Sequence, residues 1–189
     1  MSISTVDWIA NAVLLGWLLI EIGQMFKSRR SIGAVEDSGT FAGVWWSIIT
    51  AVLGANLVDF LARGALRFFA WVPWVGLVLL AVGIGWRWYA IRYLGRYFTV
   101  RVMIQDEHVL IQTGPYRWVR HPSYLGAWLA FCGVGLVTGT GPTLLVWAVV
   151  PLLGLLRRIQ IEERVLATHF GPQFEAYRAH TWCLVPWVY

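Results

Sequence analysis

The stretch that decides the fold is Ser123–Leu156, which reads SYLGAWLAFCGVGLVTGTGPTLLVWAVVPLLGLL. It contains 34 residues, and none of them is charged. A helix that crosses a hydrocarbon core of about 30 Å needs about 20 apolar residues, so this stretch is too long for one span and short for two. Its centre, Thr138-Gly139-Thr140-Gly141-Pro142, has the residues of a turn. We therefore predict a helical hairpin of two shortish membrane helices.

Three more apolar segments precede the hairpin, and each is about long enough to cross the bilayer. They are Trp8–Phe26, in which Glu21 is the one acidic residue, Gly39–Val58 and Phe69–Trp86. The expected fold is therefore an all-α integral membrane protein. It has about five transmembrane helices, and the last two form the hairpin.

The composition supports a membrane protein and excludes several other classes. Of 189 residues, 58% are hydrophobic and 13% are charged, against about 45–50% and about 25% in soluble domains. Disorder, a nucleic-acid-binding tail and a soluble Rossmann enzyme are excluded as first interpretations. Two cysteines, Cys132 and Cys183, make no disulfide framework.

The basic residues predict the orientation in the membrane. Twelve of them follow the first, third and fifth helices, whereas the other side holds only Arg63 and Arg67. The positive-inside rule then places the C-terminus in the cytoplasm and the N-terminus outside. Lys27 is the only lysine among 15 basic residues, and this arginine bias indicates a prokaryotic cytoplasmic membrane.

The polar residues concentrate in two cytoplasmic stretches, 89–121 and 157–189. Pro122 suits the first position of the fourth helix, so Arg120 and His121 are expected just before its N-terminus. Free N–H groups and the helix dipole at that end favour a carboxylate or a phosphate. The alternative is an arginine that reaches the interface beside a helix-starting proline.

The second stretch carries adjacent carboxylates directly after the last membrane helix. Arg158 and Glu162 are four residues apart and share a helix face, whereas Glu163 points about 100° away. A site built from these groups would lie at the membrane interface. The alternative is an exposed helix with a salt bridge.

Two weaker signals have simpler explanations. Gly133-Val134-Gly135 and Gly139-Thr140-Gly141 look like a dinucleotide-binding loop, but no strand precedes them. Close packing of helices explains these glycines better. The spacing of histidines and glutamates, which are His108, His121, Glu162 and Glu163, matches no zinc pattern, so we expect no metal.

The order of motifs in the second half of the chain resembles a known family. Leu110-Ile111-Gln112-Thr113-Gly114-Pro115-Tyr116 is followed by Arg120-His121-Pro122-Ser123-Tyr124-Leu125-Gly126, a hydrophobic hairpin, Glu162-Glu163 and Phe170-Gly171. This pattern resembles the isoprenylcysteine carboxyl methyltransferase family over about Leu94–Tyr189. It implies a catalytic part with a cytoplasmic cofactor pocket at residues 89–189, after three N-terminal transmembrane helices at residues 1–88.

The resemblance implies S-adenosylmethionine as the cofactor. The matching cofactor positions are His108, Val109, Leu110, Ile111, Tyr116, His121, Pro122, Ser123, Tyr124 and Glu162, and the helix-start argument adds Arg120. Arg158 matches an arginine that faces the substrate carboxylate. A carboxylate needs no general base, whereas an amine or thiol acceptor does, and Glu163 or His121 are then the candidates.

The expected function is methyl transfer from S-adenosylmethionine to a lipophilic substrate, for example a prenylcysteine-type carboxylate. The expected partners are the lipid bilayer and this lipophilic or prenylated substrate, and no nucleic acid. Three alternatives stay open from the sequence. They are a phospholipid or thiol methyltransferase, a sterol or enone reductase that uses NADPH through Arg117 and Arg120, and a noncatalytic membrane scaffold.

Overall fold

A computed structural model describes residues 5–28, 34–35, 39–62, 68–98, 103–104, 109–138 and 140–188. Its helices are α1 (Thr5–Ser28), α2 (Thr40–Ala62), α3 (Val72–Leu94), α4 (Pro122–Val137), α5 (Gly141–Phe170) and α6 (Pro172–Ala179). Two-residue strands, β1 (Ala34–Val35) and β2 (Met103–Ile104), pair antiparallel. The predicted helical class and the hairpin of α4 and α5 are confirmed.

Three of these helices are long and apolar enough to cross a membrane by length and composition. They are α3, α5 and the segment Phe41–Ala62 of α2. The apolar segments Ala12–Glu21 of α1 and Pro122–Val137 of α4 are shorter. The chain is therefore an integral membrane protein, and the number of five spans stays a prediction.

Helix α5 continues well beyond the apolar stretch that predicted it. Its 30 residues correspond to about 45 Å of helix, which exceeds the hydrocarbon thickness. The helix ends at Gly171, whose φ of 49° lies in the left-handed region that favours glycine. Arg158, Glu162 and Glu163 consequently lie on the same rigid helix as the last membrane segment.

Helices α3 and α4 pack backbone to backbone through glycines. A Cβ atom on Gly83 would lie 2.5 Å from the Ala130 nitrogen, and one on Gly133 would lie 2.5 Å from the Leu80 nitrogen. A Cβ atom on Gly126 would lie 2.6 Å from the Arg87 nitrogen. The packing role expected for Gly133 is confirmed, whereas a Cβ on Gly141 would meet nothing within 4 Å and Gly139 lies outside the described residues.

The two N-terminal helices dock on different partners. Helix α1 contacts α3 and α4, and its Trp17 ring lies 5.3 Å from the Phe131 ring. Helix α2 packs mainly on α5, where a Cβ on Gly154 would lie 2.5 Å from the Ser47 hydroxyl. A space remains between α1, which packs on α3 and α4, and α2, which packs on α5. The predicted boundary between the N-terminal helices and the catalytic part, at residues 88 and 89, falls inside α3. This division of the chain stays a prediction.

Candidate functional site

An apolar cavity lies where α1, α2, α3, α4 and α5 meet. The cavity is open on one side, and its empty volume is about 730 Å³ when the space at that opening is included. The apolar lining comprises Trp17, Phe41, Val44, Trp45, Ile48, Phe98, Ala127, Phe131 and Leu155. Four polar residues complete the wall, namely Glu21, Arg87, Tyr124 and Arg158. An apolar chamber with a few convergent polar groups is typical of a site for an amphiphilic small molecule.

A bidentate ion pair lies in this wall. The Nε atom of Arg87 donates to Oε1 of Glu21 at 2.6 Å, and its second terminal nitrogen donates to Oε2 at 2.7 Å. The Trp17 indole N–H also donates to Oε1, at 2.9 Å. The remaining Arg87 nitrogen donates to the Ser123 carbonyl at 3.2 Å. The pair therefore links α1 and α3 to the first turn of α4.

A second chain of hydrogen bonds joins α4 to α5. The Nε atom of Arg158 donates to the Tyr124 hydroxyl at 2.8 Å, and that hydroxyl donates to Oε2 of Glu162 at 2.7 Å. Arg158 is only 5% exposed. We call these residues the Tyr124 chain. It connects the cavity, where Arg158 and Tyr124 lie, with the predicted cofactor residue Glu162.

A third cluster surrounds Glu163, whose Oε1 atom accepts from Arg120 Nε at 2.7 Å. His121 Nε2 lies 3.2 Å from the same oxygen, and the Cys183 thiol donates to it at 3.6 Å. Arg178 Nε approaches the other oxygen at 3.9 Å. We call these residues the Glu163 cluster. Two guanidinium groups beside the carboxylate stabilise its ionised form.

The chain beyond α6 is bound to the stretch before α4. The backbone N–H of Arg120 donates to the Trp182 carbonyl at 2.8 Å, and that of His121 donates to the Cys183 carbonyl at 3.1 Å. The Arg120 side chain also donates to the carbonyls of Arg178 and Thr181. These contacts hold both polar stretches in one unit, as their expected common site requires.

Helix α4 begins at Pro122, directly after Arg120 and His121 as expected, and several polar groups at this end already have partners within the chain. The N–H groups of Tyr124 and Leu125 donate to the His121 carbonyl at 3.1 and 3.0 Å, so they are not open to a ligand. Arg120 likewise pairs with Glu163. The acceptor for Arg120 is a carboxylate on α5, which a local reading of the sequence does not include.

Tyr116 is buried between the helical bundle and α6. Its hydroxyl donates to the Ala90 carbonyl at 3.2 Å, and its own carbonyl accepts from the Tyr177 hydroxyl at 2.7 Å. Burial raises the pKa of the Tyr116 phenol above its ordinary value. Tyr116 thus anchors the turn Gly114–Arg117, where Gly114, with φ 59°, faces the Tyr93 ring.

The other predicted cofactor positions divide into two groups. Pro122 and Ser123 are buried in the first turn of α4, beside His121. Val109 is half exposed, and Leu110 and Ile111 are partly buried. His108 lies outside the described residues. The side chains of Val109–Ile111 thus leave apolar surface uncovered just before the Tyr116 turn.

The Glu163 cluster also contains three groups that are able to ligate a metal. The ligand atoms of His121, Glu163 and Cys183 all lie within 4.8 Å of one another. Arg120, however, already donates to the shared carboxylate oxygen, and a guanidinium at that distance opposes a bound cation. The cluster is better suited to holding the chain together than to binding a metal.

Glu21 and Arg87 line the cavity, and the motif analysis did not single them out. The available signal was Glu21 itself, since a charged residue within an apolar span marks a functional site by default. Arg87 follows the apolar segment that ends at Trp86, where an arginine looks like a helix flank. Only the continuation of α3 to Leu94 places it inside the helix and against the cavity.

Comparison with known proteins gives a consistent family assignment. Residues 74–168 match the model of the isoprenylcysteine carboxyl methyltransferase family. A probable protein-S-isoprenylcysteine O-methyltransferase from Oryza sativa subsp. indica is 32% identical over 124 residues, covering 65% of each chain. Protein-S-isoprenylcysteine O-methyltransferase A from Arabidopsis thaliana is 33% identical over 62% of this chain and 61% of its own.

The fold comparison agrees with the sequence comparison. The structure of a eukaryotic intramembrane Ras methyltransferase, isoprenylcysteine carboxyl methyltransferase, superposes with a TM-score of 0.62 and 25% identity. The match covers 75% of this chain and 51% of that protein. The matches therefore span about half to two thirds of the length of these relatives.

Proposed function

Because the chain belongs to the isoprenylcysteine carboxyl methyltransferase family, we propose that it methylates the carboxylate of a lipophilic, prenylcysteine-type substrate. The methyl donor in this proposal is S-adenosylmethionine. The observation that carries the proposal is the position of Arg158, which lines the apolar cavity and also belongs to the Tyr124 chain. Arg158 thus connects the space proposed for the apolar tail with Glu162, a residue proposed to bind S-adenosylmethionine.

The donor site is proposed from the chemistry of the residues around the Tyr124 chain. The Glu162 carboxylate suits an ammonium or ribose hydroxyl, and the uncovered apolar side chains of Val109–Ile111 suit an adenine ring. His108, Tyr116 and His121–Ser123 complete the set, and Arg120 supports it from the Glu163 cluster. S-adenosylmethionine, when bound there, supplies an electrophilic methyl group on a sulfonium.

The residues of the chain would contribute by positioning and by excluding water. Arg158 presents a guanidinium that suits paired hydrogen bonds to a carboxylate. Tyr124 fixes the direction of that guanidinium by accepting from its Nε atom. The aromatic and aliphatic cavity wall holds the apolar tail, so that the headgroup stays at the polar end. Orienting two reactants in this way supplies much of the rate enhancement of a displacement.

No general base is required, because a carboxylate is already ionised at neutral pH. We therefore propose a positioning role for Glu163 in place of the base expected for an amine or thiol acceptor. The Arg120 and Arg178 guanidinium groups favour its anionic form. The relatives reported above are protein-S-isoprenylcysteine O-methyltransferases, and we propose neither the reductase nor the scaffold.

The orientation proposed from the basic residues agrees with this function. It places the Glu163 cluster and the Tyr124 chain on the cytoplasmic side of a prokaryotic cytoplasmic membrane. A C-terminal tag that is digested in right-side-out vesicles and protected in inverted ones would contradict this orientation.

The decisive experiment measures methyl transfer from labelled S-adenosylmethionine to an S-prenylated cysteine derivative with a free carboxylate. The corresponding methyl ester is the blank. Arg158→Ala is expected to lower kcat/KM at least about 100-fold, while binding of S-adenosylhomocysteine is retained. Glu162→Gln is expected to weaken that binding. Wild-type turnover in both variants, or no transfer by the wild-type protein, would overturn the proposal.

A further inference from the structure

Glu21 is an acidic residue in the wall of a cavity for which an anionic headgroup is proposed. Its side chain is 16% exposed, and that of Arg87 is 11% exposed. Both residues line the same chamber as Tyr124 and Arg158. The chamber therefore holds two guanidinium groups, those of Arg158 and Arg87, and the second is already paired with a carboxylate of the protein.

Glu21 occupies the part of Arg87 that best recognises a carboxylate. A guanidinium pairs with a carboxylate through two parallel N–H donors. On Arg87 the Nε edge is taken by both oxygens of Glu21, at 2.6 and 2.7 Å, and the remaining terminal nitrogen donates to the Ser123 carbonyl. A ligand carboxylate that binds Arg87 by the same edge must first displace Glu21.

The same helix carries both the competing carboxylate and part of the apolar wall. Trp17, one turn before Glu21, lines the cavity and donates its indole N–H to Glu21. Helix α1 contacts α3 and α4, and the Glu21–Arg87 pair provides a polar connection between it and α3. Glu21 and part of the apolar wall therefore belong to one helix.

We propose that Glu21 is a specificity-determining residue: an acceptor carboxylate that pairs with Arg158 gains Arg87 as a second partner only by displacing Glu21, an internal competitor. This inference rests on the proposed function, because it assumes that the cavity receives the acceptor. Its consequence is that Glu21 lowers the affinity for a carboxylate headgroup and leaves the affinity for an uncharged headgroup unchanged. Arg87 is neutralised by Glu21 until a carboxylate of comparable strength arrives, whereas an uncharged headgroup gains nothing from displacing Glu21.

The test compares the binding of a carboxylate amphiphile and of its methyl ester, without any methyl donor. The probes are an S-prenylated cysteine derivative and its ester, titrated into the detergent-purified full chain. Glu21→Gln keeps the size of the side chain and removes its charge. We expect the carboxylate to bind at least about tenfold more tightly to this variant, with ester binding unchanged. Glu175→Gln, a change of the same charge at a 58% exposed side chain, is the control.

The double variant Glu21→Gln/Arg87→Gln shows whether the effect passes through Arg87. It leaves no unpaired charge, so it also controls for any loss of folding in the single variant. We expect the tenfold gain to disappear in this background. An unchanged ratio of carboxylate to ester affinity in Glu21→Gln would overturn the inference while leaving the proposed function intact. Failure of both probes to bind the wild-type chain would overturn both.

Discussion

At the scale of single residues, two adjacent glutamates have different partners and therefore different proposed roles. Glu162 accepts from Tyr124, which is in turn bound by Arg158. Glu163, the next residue, points to Arg120 and His121 instead. Adjacent residues on a helix project about 100° apart, so one pair of carboxylates serves two clusters. Tyr124 and Arg158 line the cavity, whereas the Glu163 cluster binds the C-terminal segment to α5 and to the stretch before α4.

Glu163→Gln tests the positioning role at this scale. The change leaves the buried Arg120 guanidinium without its charged partner, so we expect the free energy of unfolding to fall by about 2 kcal/mol. With a carboxylate acceptor, KM for the methyl donor should rise while kcat stays within about threefold of the wild type. Unfolding in detergent and initial-rate kinetics provide the two measurements.

A large loss of kcat with unchanged KM and stability would instead identify Glu163 as a base. Glu175→Gln is the matched control, since Glu175 lies on the exposed face of α6. It should leave both stability and kinetics unchanged.

At the scale of elements, the contact between α3 and α4 determines where the site residues lie. Gly126 brings the α4 backbone against Arg87, in the turn that follows Tyr124. Gly83 and Gly133 maintain that contact along the helices. Without a hydrophobic driving force between membrane helices, such close packing of small residues is a main source of their association. The glycines therefore help to set the geometry of the polar groups.

Gly83→Ala and Gly85→Ala form a matched pair that tests this contact. A Cβ at residue 83 would lie 2.5 Å from the Ala130 backbone nitrogen, whereas one at residue 85 meets nothing within 4 Å. We expect Gly83→Ala to cost about 1–3 kcal/mol of stability and to reduce turnover. Gly85→Ala should be neutral or slightly stabilising, because alanine favours the helix. Equal stability of the two variants would show that the helices do not pack this closely.

At the scale of the whole molecule, the cavity forms where five helices meet, and their side chains do not fill the space between them. Helix α1 covers α3 and α4, while α2 covers α5, and their lining residues meet across an open volume of about 730 Å³. The polar groups from α1, α3, α4 and α5 converge at this chamber. The cavity is therefore a property of the assembled bundle, including the N-terminal helices outside the family match at residues 74–168.

Filling the chamber tests its assignment to the apolar tail. Ile48 lines the cavity, whereas its neighbour Ile49 is 43% exposed on another side of α2. Ile48→Trp is expected to weaken binding of a prenylated amphiphile at least about tenfold, and to affect one with a shorter tail less. Ile49→Trp adds the same side chain outside the cavity and should bind like the wild type. Equal affinities of the two variants would place the tail elsewhere.

The sequence by itself determined the membrane class, the hairpin and the family. Apolar length and the absence of charge are local properties, so Ser123–Leu156 predicts two helices without knowledge of their neighbours. The motif residues from Leu110 to Glu163 were likewise readable in order along the chain. Their individual roles in binding stay predictions.

The tertiary structure alone decided which polar groups meet. Glu21 and Arg87 are 66 positions apart, and Arg120 and Glu163 are 43 positions apart. No periodicity connects such distant residues, because each pair depends on how two helices cross and rotate. The lining of the cavity depends on the same packing, which buries one set of side chains and leaves an unfilled space between others.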